Sequence, residues 1–430
     1  MEKARLVRAI GRWTLLALIV NSVIGSGVFG LPAIVAGLLG KQSTLAVVIA
    51  GAAIGTIVAC FAEVSSYFSD AGGPYLYGRT AFGQLIGILV GWTLYLAQAA
   101  APAANANLFV IYLAEFWPAV KNPALRFDVL TVLIALLTFI NLLGVRQGAG
   151  VSNILTVAKI LPLLMIISAG AAIAILHPAP VPATTAPSSA WLKAMVLLFF
   201  LYGGFESAVA PASEAKNPRQ DAAFALLGAL IVCATIFALV QWVVVGVLGA
   251  GATTDRPLAE VARFTMGERG AALVAVGAML SVYGYLGAKL LAMPRLTFAM
   301  AERGDLPKIF AAVSPRFHTP WFSIVMFAAA VWVLAIIGNF AWNVTLSVVA
   351  RLFYYGVVCA ALIALRRKHT DKAWFRLPGG PVLAVIGILI CLALLTQVNL
   401  SKSWILIATF AAGIVNWIWV RIEGKKQKSN

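Results

Sequence analysis

Charge is what this 430-residue chain lacks. Only 11% of it is Asp, Glu, Lys or Arg, while 62% is hydrophobic and the mean hydropathy is +0.95. Soluble domains carry about 25% charged residues, so the deficit excludes a water-soluble globule and implies a polytopic membrane protein. Acids are scarcest, 15 against 32 Lys and Arg, for a net charge of +17. That excess does not imply nucleic acid, because the bases gather in short segments between apolar runs, as cytoplasmic loops require. Histidines are few, and His177, His318 and His369 fall in separate loops. The four cysteines, Cys60, Cys233, Cys359 and Cys391, sit inside apolar runs without metal-ligand spacing. Neither a metal site nor a disulfide-linked subunit is expected from such a set. No phosphate-cradling P-loop is present, which argues against ATP-driven transport. No nucleophile–base pair is evident either, so neither an enzyme nor a cofactor is expected.

What is abundant is apolar length. About 20 apolar residues cross a bilayer, and twelve candidate spans can be marked, at 13–37, 43–69, 84–113, 127–146, 151–176, 190–212, 222–250, 270–300, 320–338, 342–366, 379–398 and 403–421. The basic segment 1–12 precedes the first without a cleavage site and reads as a retained cytoplasmic N-terminus. With that end inside, 21 of the 32 basic residues are cytoplasmic, eight lie outside, and Lys159, Lys289 and Arg351 fall within spans. The asymmetry puts both termini in the cytoplasm of a plasma (in bacteria, inner) membrane. Residues 70–83, opened by Gly72-Gly73-Pro74, predict a short interfacial helix on the cytoplasmic side. Residues 177–189, rich in Pro, Ser and Thr, predict an extended outside loop, and 255–269 a short outside helix. The basic tail 422–430 is expected to be disordered or to skim the membrane.

Two spans are interrupted. The first, WTLLALIVNSVIGSGVFGLPAIVAG, carries Gly25-Ser26-Gly27 at its middle. Glycine weakens a helix by about 1 kcal/mol relative to alanine, and lipid tolerates opened backbone only where it faces protein, water or a ligand. Alone, the motif could equally be a small-residue packing face. The sixth span has a matching break, Gly203-Gly204-Phe205-Glu206. Two five-span halves, 13–176 and 190–366, would then be inverted repeats with their first helices broken, and 379–421 would add two further helices. Paired breaks of this kind point to a transporter's central site.

These residues carry a resemblance. NSVIGSGVFGLPA resembles the first-helix motif of the amino acid–polyamine–organocation (APC) superfamily. FAEVSSYFSDAGGPYLYGRTAFG with Gly91-Trp92, FFLYGGFESAVAPASEAKNP and RLTFAMAERGDLPKIF resemble its helix 2–3, helix 6 and helix 8 regions in the same order. Asn21 stands where glycine is common in that family, and Arg219-Gln220-Asp221 replaces a proline-containing exit. The resemblance implies an all-α, five-plus-five inverted-repeat (LeuT-like) fold of twelve transmembrane helices. It implies alternating-access transport of amino acids or related amines, coupled to protons or to exchange.

The site follows from helix-end chemistry. An opened N-terminal end offers unpaired N–H groups and partial positive charge, so Ser26, Gly27 and Val28 suit a substrate carboxylate. Carbonyls near Val23 and Ile24, and those of Phe200, Leu201 and Gly203, suit its ammonium. The resemblance makes Phe200 a gating aromatic; the alternative, for one of 23 phenylalanines, is an ordinary lipid-facing or core side chain. Glu206, an intramembrane acid at a break, is a candidate for proton coupling or substrate contact, or a structural anchor. Lys159 falls where the resemblance implies a cation in place of the sodium ion of sodium-coupled relatives, hence a sodium-independent carrier. Lys289 and Arg351 either pair with acids, snorkel to an interface, or make the pocket electropositive, favouring neutral or acidic amino acids over arginine, lysine and polyamines. Gln98, among alanines and near Pro102, is a candidate pocket group. Glu63, Glu214 and Lys216 read as gating or structural groups near helix ends. A polyamine or cationic carrier, an exporter, and a non-translocating amino-acid sensor are the alternatives. Membrane lipid is the other expected partner.

Overall fold

In lipid the backbone must bond to itself, so apolar runs become helices. The computed structural model describes residues 11–68, 72–144, 149–180, 186–208, 218–251, 253–368, 373, 375–397 and 404–429, with 149–158, 207–208, 218–220, 222 and 424–429 described by backbone alone. Among the described residues there are helices and no strand. The first expected span is three short helices, α1 (Arg12–Val23), α2 (Ser26–Gly30) and α3 (Pro32–Leu39). There follow α4 (Ser43–Ser66), the expected short helix α5 (Gly73–Phe82), α6 (Gln84–Leu113), α7 (Pro123–Leu142) and α8 (Ala149–Leu176). The sixth span is divided between α9 (Ser188–Leu201) and α10 (Phe205–Ala208). The chain continues through α11 (Pro218–Leu248), α12 (Pro257–Glu302), α13 (Trp321–Ile337), α14 (Phe340–Lys368), α15 (Gly380–Leu395) and α16 (Trp404–Ser429).

Among the described residues eight helices are long and apolar enough to cross a membrane, and four apolar helices of 10–17 residues, α1, α9, α13 and α15, fall at other expected spans. The short helix expected at 255–269 is the start of α12, set off by a non-helical Gly267 at φ 72°. Helix α6 continues through Pro102 without ending. The backbone stays helical to Ser429, where a disordered or skimming tail was expected. The segments 1–10 and 181–185, and Glu214 and Lys216, lie outside the described residues.

Burial orders the helices from centre to rim. The apolar windows of α6 and α14 are 72% and 67% buried, that of α16 only 11%. Helix α6 takes the centre because its buried face is largely alanine, from Ala97 to Ala106; small side chains let membrane helices approach closely. Helix α14 packs along it, α4 lies against α11, and α8 against α12.

Each end of the bundle is tied by ion pairs. At one end Asp305, fully buried, accepts hydrogen bonds from the Tyr75 hydroxyl and from Gln84 Nε2 (2.8 Å). It also pairs with Arg79 Nε at 2.8 Å, and Asn416 Nδ2 donates to its backbone oxygen at 2.8 Å. Near this end, Arg366 grips Glu63 with two bonds of 2.6 Å, and the Leu377 N–H donates to the same carboxylate. At the other end Glu115 pairs with Arg263 and with Arg256 (2.7 Å). There a cavity of about 770 Å³ is lined by Asn107 of α6, Phe340 of α14 and the 253–260 segment.

Candidate functional site

Both breaks occur at the glycines. Helix α1 ends at Val23; Ile24 turns to ψ 94° and Gly25 to φ −124°, ψ −149° before α2 begins. Helix α9 ends at Leu201, and Gly204, at φ 116°, leads into α10. That φ lies where side chains are strained and glycine is not. The two breaks touch. Ser22 Oγ donates to the Gly204 carbonyl at 3.0 Å, and a Cβ on Gly204 would stand 2.5 Å from the Ser22 carbonyl oxygen. Gly27 permits a second approach: a Cβ there would come within 3.1 Å of Leu201 Cα and 3.4 Å of the Phe200 ring.

Lys159, buried in α8, donates to the carbonyls of Asn21 at 2.8 Å and Ile24 at 3.2 Å. These are orphan acceptors at the C-terminal end of α1, where partial negative charge accumulates. The lysine therefore holds the broken end of the first helix and occupies a carbonyl, that of Ile24, expected to serve a ligand's ammonium.

Glu206 is the hub of the second break. Its Oε1 accepts from Gln98 Nε2 and from the Tyr354 hydroxyl, both at 3.0 Å, and lies 3.5 Å from Arg351 Nη1. Its Oε2 accepts from the Gly204 N–H at 3.0 Å and the Tyr355 hydroxyl at 3.3 Å. The Glu206 and Arg351 side chains are 1% and 2% exposed. A buried carboxylate is tolerated when paired and hydrogen-bonded, and here one acid ties α6, α10 and α14 together. The Arg351 guanidinium also lies over the Phe200 ring, 5.7 Å from its centroid, within cation–π range. Phe200 is thus part of this cluster rather than of a lipid-facing surface.

The backbone at Gly203 is pressed against Arg351: a Cβ built there would overlap Nη1. Gly203→Ala is therefore expected to displace the guanidinium from Glu206 and to cost about 1–3 kcal/mol, the usual range of overpacking. A lowered melting temperature in detergent, together with loss of uptake, would register it.

Ser26 is fully buried, and its Oγ has no hydrogen-bond partner among the described residues. Native proteins rarely leave such a group unpaired, so this one calls for an explanation. Lys289, also buried, lies over the Tyr285 ring at 5.2 Å, and Tyr285 in turn packs on Gly25, whose added Cβ would meet its ring at 3.5 Å. The structure therefore brings Val23, Ile24, Ser26, Gly27, Val28, Gln98, Lys159, Phe200, Leu201, Gly203, Glu206 and Lys289 around the two breaks or onto the residues that line them. Glu63 lies apart, in its pair with Arg366.

Four partners were not singled out from sequence. Tyr354 and Tyr355 stand less than two turns after Arg351 in RLFYYG, and two tyrosines next to an intramembrane arginine are a readable signal of a polar network. Tyr285 lies one turn before Lys289 and was legible on the same ground. Ser22 carried no signal, because its bond is to a backbone 182 residues away.

A family model described as amino acid permease matches residues 10–417. A methylthioribose transporter of Bacillus subtilis (strain 168) is 30% identical over 413 residues, covering 90% of this chain and 87% of the relative. A branched-chain amino acid permease of the same strain is 27% identical, covering 94% and 90%. A chloroplastic cationic amino acid transporter of Arabidopsis thaliana is 31% identical, covering 84% and 67%.

Proposed function

The chain belongs to the amino acid permease family, within the APC superfamily, and from that premise we propose that it is a sodium-independent secondary carrier of neutral amino acids working by alternating access. The observation that carries this reading is Lys159 on the Asn21 and Ile24 carbonyls. A protein-borne cation there performs the electrostatic task of a bound sodium ion, so none is needed. The substrate carboxylate binds the N–H groups of Ser26, Gly27 and Val28 and satisfies the Ser26 hydroxyl. Its ammonium meets the carbonyls of Val23, Leu201 and Gly203, and Phe200 closes over it. The pairing of Glu206 with Arg351 offsets one buried cation and Lys289 adds another close by, which supports neutral over cationic substrates.

In this reading the twelve spans form two inverted halves, 13–176 and 190–366, followed by α15 and α16. The Asp305 end faces the cytoplasm and the 770 Å³ cavity faces outward. From Asn107, on the wall of that cavity, to Gln98 is nine residues of α6, or roughly 14 Å at 1.5 Å per residue. The cavity is then an outer vestibule leading down α6 to the site. Coupling is by exchange or by protons, and dependence of uptake on internal substrate separates the two.

The test is uptake of labelled leucine and serine into liposomes holding the purified chain alone. Uptake should be unchanged when choline replaces sodium, and should be inhibited by unlabelled neutral amino acids more than by arginine, glutamate or methylthioribose. Sodium dependence would remove the role given to Lys159. Arginine competing as strongly as leucine would remove the assignment to neutral substrates. Binding without flux would make the chain a sensor.

A further inference from the structure

Away from the two breaks lies a second cavity, of about 300 Å³, between α6, α12 and α13. It is about ten times the ~30 Å³ that a water molecule occupies in the liquid, and its wall is almost wholly apolar. Its outer wall is a stripe on α13, Met326, Ala329, Ala330 and Val333, at the spacing of one helix face. Met326 and Val333 are each 41% exposed, so the cavity reaches the rim of a bundle whose surroundings are hydrocarbon. Leu306 and Phe310 close it toward the Asp305 end.

That end carries the opposite chemistry. Arg303 lies between the lining residues Met300 and Leu306, and Lys308 between Leu306 and Phe310; both cations are exposed. Beyond them Ile309, Val313, Phe317 and Trp321 are 38–49% exposed, and Arg316 lies over the Phe317 ring. Exposed aliphatic and aromatic side chains among basic ones are the composition of a segment lying at the headgroup level of a membrane. A dry slot opening to hydrocarbon below two headgroup-level cations has the shape and polarity of one kind of molecule.

We infer that this cavity is a binding site for an anionic phospholipid, with an acyl chain in the slot along the α13 stripe and the headgroup on Arg303 and Lys308. Charge complementarity selects an anionic lipid, since each basic residue near the surface attracts one measurably. The chain would pack on Leu306, next in sequence to the Asp305 that ties α5 and α6 to α12. Occupancy would thereby brace the tied end of the bundle. The site shares no residue with the cluster around Glu206.

The experiment is native mass spectrometry of the full-length, detergent-purified chain with palmitoyl-oleoyl phosphatidylglycerol, palmitoyl-oleoyl phosphatidylcholine or oleic acid added. One phosphatidylglycerol should be retained per chain in preference to phosphatidylcholine. Ala330→Trp, which fills the slot, should abolish that retention. The Arg303→Gln/Lys308→Gln double variant should lower the preference for the anionic lipid by about tenfold or more, as two surface cations imply. Retention unchanged in a folded Ala330→Trp protein overturns the proposal. Equal retention of the two lipids by the unaltered chain, the behaviour of bulk annular lipid, overturns it too, as does preferential retention of oleic acid. Should Ala330→Trp fail to fold, the double variant decides, because both of its residues are exposed; an unchanged preference there refutes the site.

Discussion

Arg351→Met will destabilise the protein by about 3–5 kcal/mol, the cost of removing one partner from a buried ion pair. The substitution leaves the Glu206 carboxylate, 1% exposed, with its hydroxyl, amide and backbone donors but with only the weaker attraction of Lys289 in place of the guanidinium. Glu206→Gln should also destabilise, because Arg351 would then be the uncompensated ion. The double variant Glu206→Gln/Arg351→Met should be far less destabilised than the sum of the singles, since residues within one network are not additive. Melting temperatures of the four proteins in one detergent give the coupling; additive losses would show that the two charges do not support each other. Transport should not return with the fold in the double variant, because the guanidinium that lies over Phe200 and against the Gly203 backbone is gone. If uptake by the unaltered chain rises with acidification and Glu206→Gln removes that pH dependence while leaving exchange intact, Glu206 carries the coupled proton. If the variant keeps the pH dependence, the proton travels elsewhere.

The second large effect is expected at Lys159. Lys159→Met keeps the length and apolar stem of the side chain and deletes the donor. The Asn21 and Ile24 carbonyls would then lose the ammonium that satisfies them. Unsatisfied buried acceptors cost about 1–3 kcal/mol each, and the broken end of α1 would lose its only described cation. Uptake should fall to background while the protein remains folded enough to purify. Sodium should not restore it unless the vacated position admits the ion; restoration by sodium and not by choline would be the most direct support for the idea that the lysine stands for a metal ion. Full activity in Lys159→Met would defeat it.

The fold was legible because lipid simplifies the physics. A run of about 20 apolar residues has few alternatives to a helix, so the elements fall near the expected spans, and both breaks occur at the glycines that marked them. Boundaries were less accurate where the signal was local. Helix α7 starts at Pro123, ahead of the expected 127, because proline suits the first turn of a helix and Asn122 caps it by accepting from the Ala124 N–H. Of the two readings of the tail, disorder does not hold: lysines at the C-terminal end of a helix favour its dipole, and α16 runs on to Ser429.

The site was legible as a list and not as a network. Glu206, Gln98 and Lys159 stood out because a polar group in an apolar run must have a reason. Their partners did not stand out, because pairing is a property of helices distant in sequence. Arg351 presented two readings, pocket charge or ion pair, and the 3.5 Å approach to Glu206 gives it a partner. Asp305 carries no reading of its own within RLTFAMAERGDLPKIF; its burial and its bonds to Tyr75, Gln84 and Arg79 are visible only in three dimensions.

The hydrogen bond from Ser22 to Gly204 has a consequence for how the molecule can move. Two interrupted helices could flex independently, which would give the bundle two hinges and several partly opened arrangements. Here the hinge of one is fastened to the hinge of the other, and the backbones are too close for even a methyl group between them. Bending either helix must therefore drag the other, so the two act as a single degree of freedom. Under the alternating access proposed above, a carrier with one such coordinate would change state in one concerted step, and a leak, with both sides ajar at once, would have no separate joint through which to occur.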